Sequence, residues 1–192
     1  MKREFRMALF MIALLGFPAA WSVAQSPAFF HPTEDIGASV IASFGGTIDT
    51  DFGELTKETG VVFHAFGDFY LIDKLAMGIY GNIGPSLSIA ESDETATWYE
   101  IGASIKPRFV IRGGAVAIKP GLEIGYRGVT GKVFTKDIRG FAVNGSVEVQ
   151  INAHSSVIPF IVLGIFSQPA GGDGETNVTF APLFYAGAGV AF

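Results

Sequence analysis

The sequence predicts an all-β protein, an eight-stranded antiparallel up-and-down transmembrane β-barrel. Three observations predict it. Long segments alternate between apolar and polar residues, and no stretch of 3.6-residue period competes with them. The links between those segments alternate strictly between long and short. The chain is also apolar on average, 49% hydrophobic and only 16% charged, yet no run after the N-terminus has the length of a spanning helix.

The eight predicted strands are residues 35–44, 60–71, 75–90, 97–111, 116–129, 140–153, 157–167 and 177–192. A strand of about ten residues rises roughly 33 Å and, tilted near 45°, covers about 23 Å of membrane normal. Soluble strands are typically about five or six residues long. The links 72–74, 112–115 and 154–156 are tight turns; 45–59, 91–96, 130–139 and 168–176 are longer and rich in Gly, Asp, Glu and Thr. In an up-and-down sheet all the long links then fall at one end, the layout of an outer-membrane barrel with short periplasmic turns and long extracellular loops.

The first 24 residues read as a signal peptide. Lys2, Arg3 and Arg6 precede an apolar run from Met7 to Phe17, and Ser22 and Ala24 suit cleavage before Gln25. Residues 25–34 read as a periplasmic tail, and 35–192 as the barrel domain. Losing Lys2, Arg3, Arg6 and Glu4 makes the remainder more acidic than the overall −5, and it has no basic patch for nucleic acid. The absence of cysteine excludes a disulfide framework, a zinc–thiolate site and a thiol nucleophile.

Which face meets lipid follows from three neighbouring strands. On 140–153, Phe141, Val143, Val147, Val149 and Ile151 oppose Asn144, Ser146, Glu148, Gln150 and Asn152. On 116–129, Ile118, Leu122, Ile124 and Tyr126 oppose Lys119, Glu123 and Arg127. On 97–111, Ile101, Ile105 and Phe109 oppose Glu100, Ser104, Lys106 and Arg108. Hairpin register about the 112–115 turn sets Glu100 opposite Arg127, Ser104 opposite Glu123 and Arg108 opposite Lys119. The last contact is between like charges and demands an anion, for which Glu148 is at the right height; Glu123 and Glu148 are expected to interleave with Lys106, Arg108 and Lys119. A Lys or Arg on a lipid face costs about 2–4 kcal/mol near the midplane, so in a membrane these charges face inward.

Side-chain size favours the same orientation. The polar face of 75–90 carries Ala76, Gly78, Gly84, Ser86, Ser88 and Ala90 with Tyr80 and Asn82, against Leu75, Met77, Ile79, Ile83, Leu87 and Ile89 on the other. That of 177–192 carries Ala181, Gly187, Gly189 and Ala191 with Thr179, Leu183 and Tyr185. An eight-stranded interior only just accommodates side chains, which small residues suit. The strand 157–167 is apolar on both faces and its orientation is open.

The chain ends in "FYAGAGVAF", with Phe184, Val190 and Phe192 in outward register. With the strands and loops above, this resembles the OmpA/OmpX-like eight-stranded outer-membrane barrels over residues 35–192. The resemblance implies an outer-membrane lipid environment and insertion by the outer-membrane assembly machinery with periplasmic chaperones, Phe184, Val190 and Phe192 forming the assembly signal. It also implies that Glu100, Lys106, Arg108, Lys119, Glu123, Arg127 and Glu148 form an internal salt-bridge network.

No catalytic, metal or cofactor site is expected. The histidines His31, His64 and His154 are scattered and lack ligand spacing. "HSS" at 154–156 resembles the His-x-Ser of lipid A deacylases, but it sits in a periplasmic turn, and the next acids, Asp173 and Glu175, lie at the opposite end. His64 and Asp68 share a face about 13 Å apart, too far for direct contact. "FGG" at 44–46 and "GGDG" at 171–174 are turn chemistry. Trp98, Tyr99, Tyr126, Tyr70 and Phe69 near strand ends are candidates for an interfacial girdle. The expected function is therefore a closed barrel with a structural or adhesin-like role carried by its extracellular loops, especially 45–59 and 130–139. The alternatives are a lipid-modifying enzyme on the same barrel, or a soluble lipocalin-like carrier with inverted faces, whose pocket Phe141, Val147 and Leu122 would line.

Overall fold

A computed structural model describes residues 34–192 apart from 91, 112, 114 and 135. The predicted signal peptide and most of the tail lie outside the described residues. Among the described residues twelve strands form one sheet: β1 Glu34–Ser43, β2 Gly46–Thr50, β3 Gly53–Lys57, β4 Gly60–Ile72, β5 Leu75–Ser88, β6 Thr95–Pro107, β7 Phe109–Ile111, β8 Val116–Gly131, β9 Ile138–Ile151, β10 Ile158–Gln168, β11 Ala170–Gly172 and β12 Val178–Ala191. Eight staves, in the order β1-β4-β5-β6-β8-β9-β10-β12, close through antiparallel pairing of β1 with β12. At this seam Ile36 and Phe192 exchange backbone hydrogen bonds of 3.1 and 2.9 Å.

The faces sort as the alternation requires. Ile36, Phe69, Met77, Ile79, Ile101, Ile105, Leu122, Ile124, Phe141, Leu163 and Phe184 stand exposed on the outer wall, while Asp68, Lys119 and Arg127 are buried inside. A wall that presents apolar side chains outward and seals its charges inside is a transmembrane barrel wall. The soluble carrier reading is thereby overturned, since Phe141, Val147 and Leu122 are exposed on the outside and line no pocket within. The strand left open resolves as β10, with Ile158, Phe160, Val162 and Phe166 inward and Ile161 and Leu163 outward.

Large interior side chains lie over glycines of neighbouring strands. Tyr80 lies against Gly102 and Gly125, Phe66 against Gly37 and Phe160 against Gly189. A Cβ at any of these would meet the ring, so the interior fills by pairing the largest residues with the smallest.

The alternation changes phase at two bulges. In β5 the register to β6 slips between Gly84 and Leu87, so Pro85 and Ser86 together oppose Thr97. In β12 the register to β10 slips between Phe180 and Leu183, opposite Ser167. Both bulges contain a proline, which cannot donate to the ladder and is tolerated where pairing is interrupted. The face assignments beyond the two bulges are corrected here. Leu87 and Ile89 point inward and are buried, and Ser86 is exposed. In β12 the buried residues beyond the bulge are Val178 and Phe180, not Thr179 and Ala181.

The link 45–59 is not an open loop. Its β2–β3 hairpin extends the sheet, β2 pairing with β12 at Ile48–Phe180 and β3 touching the end of β5 through a Lys57–Ile89 bridge. Part of the link 168–176 likewise forms β11, paired with β9.

Candidate functional site: a filled interior beneath a structured rim

The interior has two storeys. The lower, towards the short turns, holds most of the charge, set against Phe66, Ile158 and Phe160. Lys119 on β8 donates to Asp35 of β1 at 2.9 Å and Asp68 of β4 at 2.8 Å, with Glu148 of β9 at 3.9 Å. Asp68 also accepts from Lys106 at 3.2 Å and Ser104 at 3.3 Å. Tyr70 at 2.7 Å and Gln150 at 3.1 Å donate to Asp35.

Above it, Arg127 donates to Glu100 through Nε at 2.8 Å and Nη2 at 2.6 Å. Tyr80 at 2.6 Å and Asn144 at 2.5 Å donate to the other oxygen of Glu100, completing that carboxylate's shell. The opposite side of Arg127 meets aromatic rings: its guanidinium carbon lies 4.7 Å from the centre of Trp98 and 5.5 Å from that of Phe180. This one side chain joins the polar storey to an apolar one.

The upper storey, at the long-loop end, is apolar inside. Ile48, Leu87, Ile89, Ala96, Trp98, Val129, Ile138, Phe166, Val178, Phe180 and Leu183 form a buried cluster. The outward side chains at that height include Ser86, Ser88, Thr95, Thr97, Thr130, Ser167 and Thr179, and the apolar ones among them, Phe44, Pro85, Ala90 and Pro182, are few. Here the barrel has the polarity of a soluble one, apolar within and polar without, so this storey stands beyond the apolar belt.

Lys57 enters this storey from β3. It is buried and donates to the carbonyls of Glu58 at 2.7 Å and Phe44 at 3.4 Å. Burial pushes its ammonium down to about 8, helped by repulsion from Arg127. Among the described residues the buried charges balance in number: Asp35, Asp68, Glu100, Glu123 and Glu148 against Lys57, Lys106, Arg108, Lys119 and Arg127.

All seven charged residues expected inside are buried there, and Glu100–Arg127, Ser104–Glu123 and Lys119–Glu148 are cross-strand partners. Their partnerships differ from expectation in three places. The anions at Lys119 are chiefly Asp35 and Asp68. Among the described residues Arg108 joins no interleaved ion pair; it donates to the Ala153 carbonyl at 3.4 Å, with its guanidinium carbon 5.6 Å from the Tyr70 ring. Glu123 accepts from Asn144 at 3.4 Å rather than pairing with a lysine. Asp35 and Asp68 were missed because they lie 84 and 51 residues from Lys119, although their alternation with Ile36 and Phe69 marks both as inward.

His64 hydrogen-bonds Asn82 at 2.7 Å, and Asp68 belongs to the lysine cluster. His154, at the short-turn end, contacts the Gly113 carbonyl at 2.8 Å. His31 lies outside the described residues. Of the proposed girdle, Phe69, Tyr99 and Tyr126 are exposed on the outer wall, but Trp98 is buried and Tyr70 points inward to Asp35, so these two are not girdle residues. Phe184 and Phe192 are exposed and Val190 is half-buried. A groove of about 570 Å³ on the outer wall runs past Ala38, Ala65 and Gly81 and is rimmed by Phe63, Ile83 and Tyr99.

The long-loop rim is acidic. Asp49, Asp51, Glu54, Glu58, Asp93, Glu94, Asp137 and Glu175 are exposed there, against Lys132, Lys136 and Arg139. Lys136 is paired with Glu175 at 2.6 Å. Asp173 accepts from the backbone N–H groups of Thr176 and Glu175, which hold its carboxyl below the usual range.

No family model and no curated protein matches the sequence. Solved structures do match. Neisserial surface protein A superposes with a TM-score of 0.62 at 13% identity, over 84% of this chain and 98% of that one. The attachment invasion locus protein Ail of Yersinia pestis, in complex with the heparin analogue sucrose octasulfate, superposes with a TM-score of 0.50 at 12% identity, over 83% and 98%. With its closed eight-stave wall and inward charges, the chain has the fold of the OmpA/OmpX-like outer-membrane barrels.

Proposed function

We propose that the chain is an exported outer-membrane barrel with a closed interior, acting at the cell surface through its long-loop rim without catalysing a reaction. One observation carries this: the interior is occupied by paired charges and packed aromatics through both storeys, while the elaborated part of the molecule is the sheet-borne rim above the apolar belt. The orientation proposed is the one usual for such barrels, with the long loops outside the cell and the short turns in the periplasm. Outer-membrane lipid would surround the wall. The assembly machinery and periplasmic chaperones would act before closure, with Phe184, Val190 and Phe192 as the recognised strand end.

The Ail complex holds a heparin analogue, a ligand that the rim of this chain does not suit. A heparin analogue is a polyanion, whereas this rim is acidic, so polyanion binding is not part of the proposal. A lipid-modifying activity has no favouring geometry, since His64 and His154 are engaged with Asn82 and a backbone carbonyl.

The test combines two readouts. Outer-membrane fractions run in SDS without boiling should give a faster band that heating converts to the full-length mobility. A tag inserted at residue 93 should be cleavable by protease on intact cells, and one inserted at residue 73 should not. A single unchanged band from the soluble periplasm would sink the membrane reading, and reversed cleavage would sink the orientation.

A further inference from the structure

We propose that the tip of the β2–β3 hairpin is a docking anchor for a protein whose surface offers an apolar pocket rimmed by lysine or arginine. This deepens the surface reading above and rests on it.

The anchor is Phe52, which is 89% exposed. Its position explains nothing about the fold. Turns favour Gly, Asn, Asp, Ser and Pro for local backbone reasons, and a phenylalanine supplies none of them. It is not a stray side chain of the apolar belt either, because the hairpin rises from the upper storey, where Ser86, Ser88, Thr95 and Thr97 face outward. The apolar cluster lies close by, with Ile48 of the same hairpin fully buried in it, yet the Phe52 ring is held away from it.

The tip is braced from several sides. Thr50 Oγ1 donates to the Gly53 carbonyl at 2.8 Å and accepts from the Phe52 N–H at 3.2 Å, and Gly53 takes the positive φ of 130° that the turn needs. Asp51 accepts from the Asn177 N–H at 2.8 Å and from its side-chain amide at 3.3 Å, tying the tip to the link after β11. Ile48 and Phe180 pair below. An aromatic ring presented on a rigid mount loses little conformational entropy on binding, which is the property of an interface anchor.

The surrounding charge fixes the chemistry of the partner. Asp49 and Glu54 face each other across the hairpin, and both are exposed. The hairpin's own cation, Lys57, is buried and does not offset them. Asp93 and Glu94 lie exposed in the next link. A ring that seeks an apolar pocket inside a negative field selects a partner with a cationic rim.

The experiment uses the full mature barrel in lipid nanodiscs with three probes: a peptide alternating lysine and leucine, oligolysine of equal charge, and heparin. Phe52→Trp adds a fluorophore at the tip. The lysine–leucine peptide should shift that emission to the blue and bind more weakly as salt rises. Phe52→Ser should weaken its binding about tenfold or more, a hot-spot loss. Asp49→Asn with Glu54→Gln should weaken it several-fold, and oligolysine should be indifferent to Phe52→Ser. Unchanged peptide affinity in Phe52→Ser, or tighter binding of heparin than of either peptide, would overturn the proposal. So would self-association that Phe52→Ser abolishes, because the occupant would then be a second copy. Labelling of Phe52→Cys by an impermeant maleimide on intact cells separates the two levels. Labelling without peptide binding refutes the anchor and leaves the surface barrel standing; absence of labelling refutes both.

Discussion

Arg127 joins the charged part of the interior to the aromatic part. It is buried, shares Glu100 with Tyr80 and Asn144, and presents its other face to Trp98, Phe166 and Phe180. Removing one partner of a buried pair strands the other, at a cost of about 3–5 kcal/mol, whereas replacing both by apolar groups of similar size is often near neutral. Glu100→Leu is therefore expected to lower the urea midpoint of unfolding in micelles strongly, and Glu100→Leu with Arg127→Met to recover most of the loss. Equal damage from the single and double variants would show that the pair is not an energetic unit. Lys57 gives a pH prediction. Its folded value of about 8 lies below the ordinary 10.5, so below about pH 8 both states are protonated and the folded state bears the whole burial penalty. Between those values the folded form has lost its proton first, and stability rises by up to about 3 kcal/mol. The temperature at which the unboiled band converts should climb between pH 8 and 10.5 in the native chain, and the rise should be absent in Lys57→Met.

At the scale of the strands, the bulges decide which residues cap the interior. Deleting Ser86 removes the extra residue of the β5 bulge and would pair Pro85 with Thr97, leaving Leu87 and Ile89 still inward. Deleting Ser88 instead would turn Ile89 outward, losing the roughly 2–3 kcal/mol that burial of such a side chain supplies. The first deletion should change the conversion temperature little and the second should lower it clearly; the reverse ranking would mean that the bulge itself is needed. The same bulges mark where the sequence stops being legible. Strand number, wall polarity and the β6–β8 register were readable because alternation and charge spacing are local. The phase change at Pro85 and Pro182 was not, since a two-residue period assigns faces only until something interrupts it. The β2–β3 hairpin did leave a signal: Ile48 and Thr50 alternate up to "TDFG", and Leu55 and Lys57 resume after it. It was obscured by the polarity of the segment. The anions of the lower storey were obscured differently, because strand closure, not sequence neighbourhood, brings Asp35 and Asp68 to Lys119.

For the molecule as a whole, the two storeys separate closure of the barrel from the recognition proposed for its rim. The barrel is sealed at the Glu100–Arg127 level by ion pairing and ring packing supplied by the staves, whereas the hairpin that carries Phe52 is joined to β12 through three residue pairs and to β5 through one bridge. The pairings that close the wall, β1 with β4 and β1 with β12, lie below the hairpin and do not depend on it. Replacing residues 47–56 by a short glycine-rich turn should therefore leave a heat-modifiable barrel, less stable because Ile48 is lost from the apolar cluster. In planar bilayers that variant and the native chain should both show no steady conductance, since an eight-stranded interior only just accommodates the side chains that fill it. Removing a rim element would then abolish recognition while the permeability barrier stays intact. Conductance steps from the trimmed barrel alone would reverse that assignment, making the hairpin a lid over a passable lumen instead of a platform standing on a closed one.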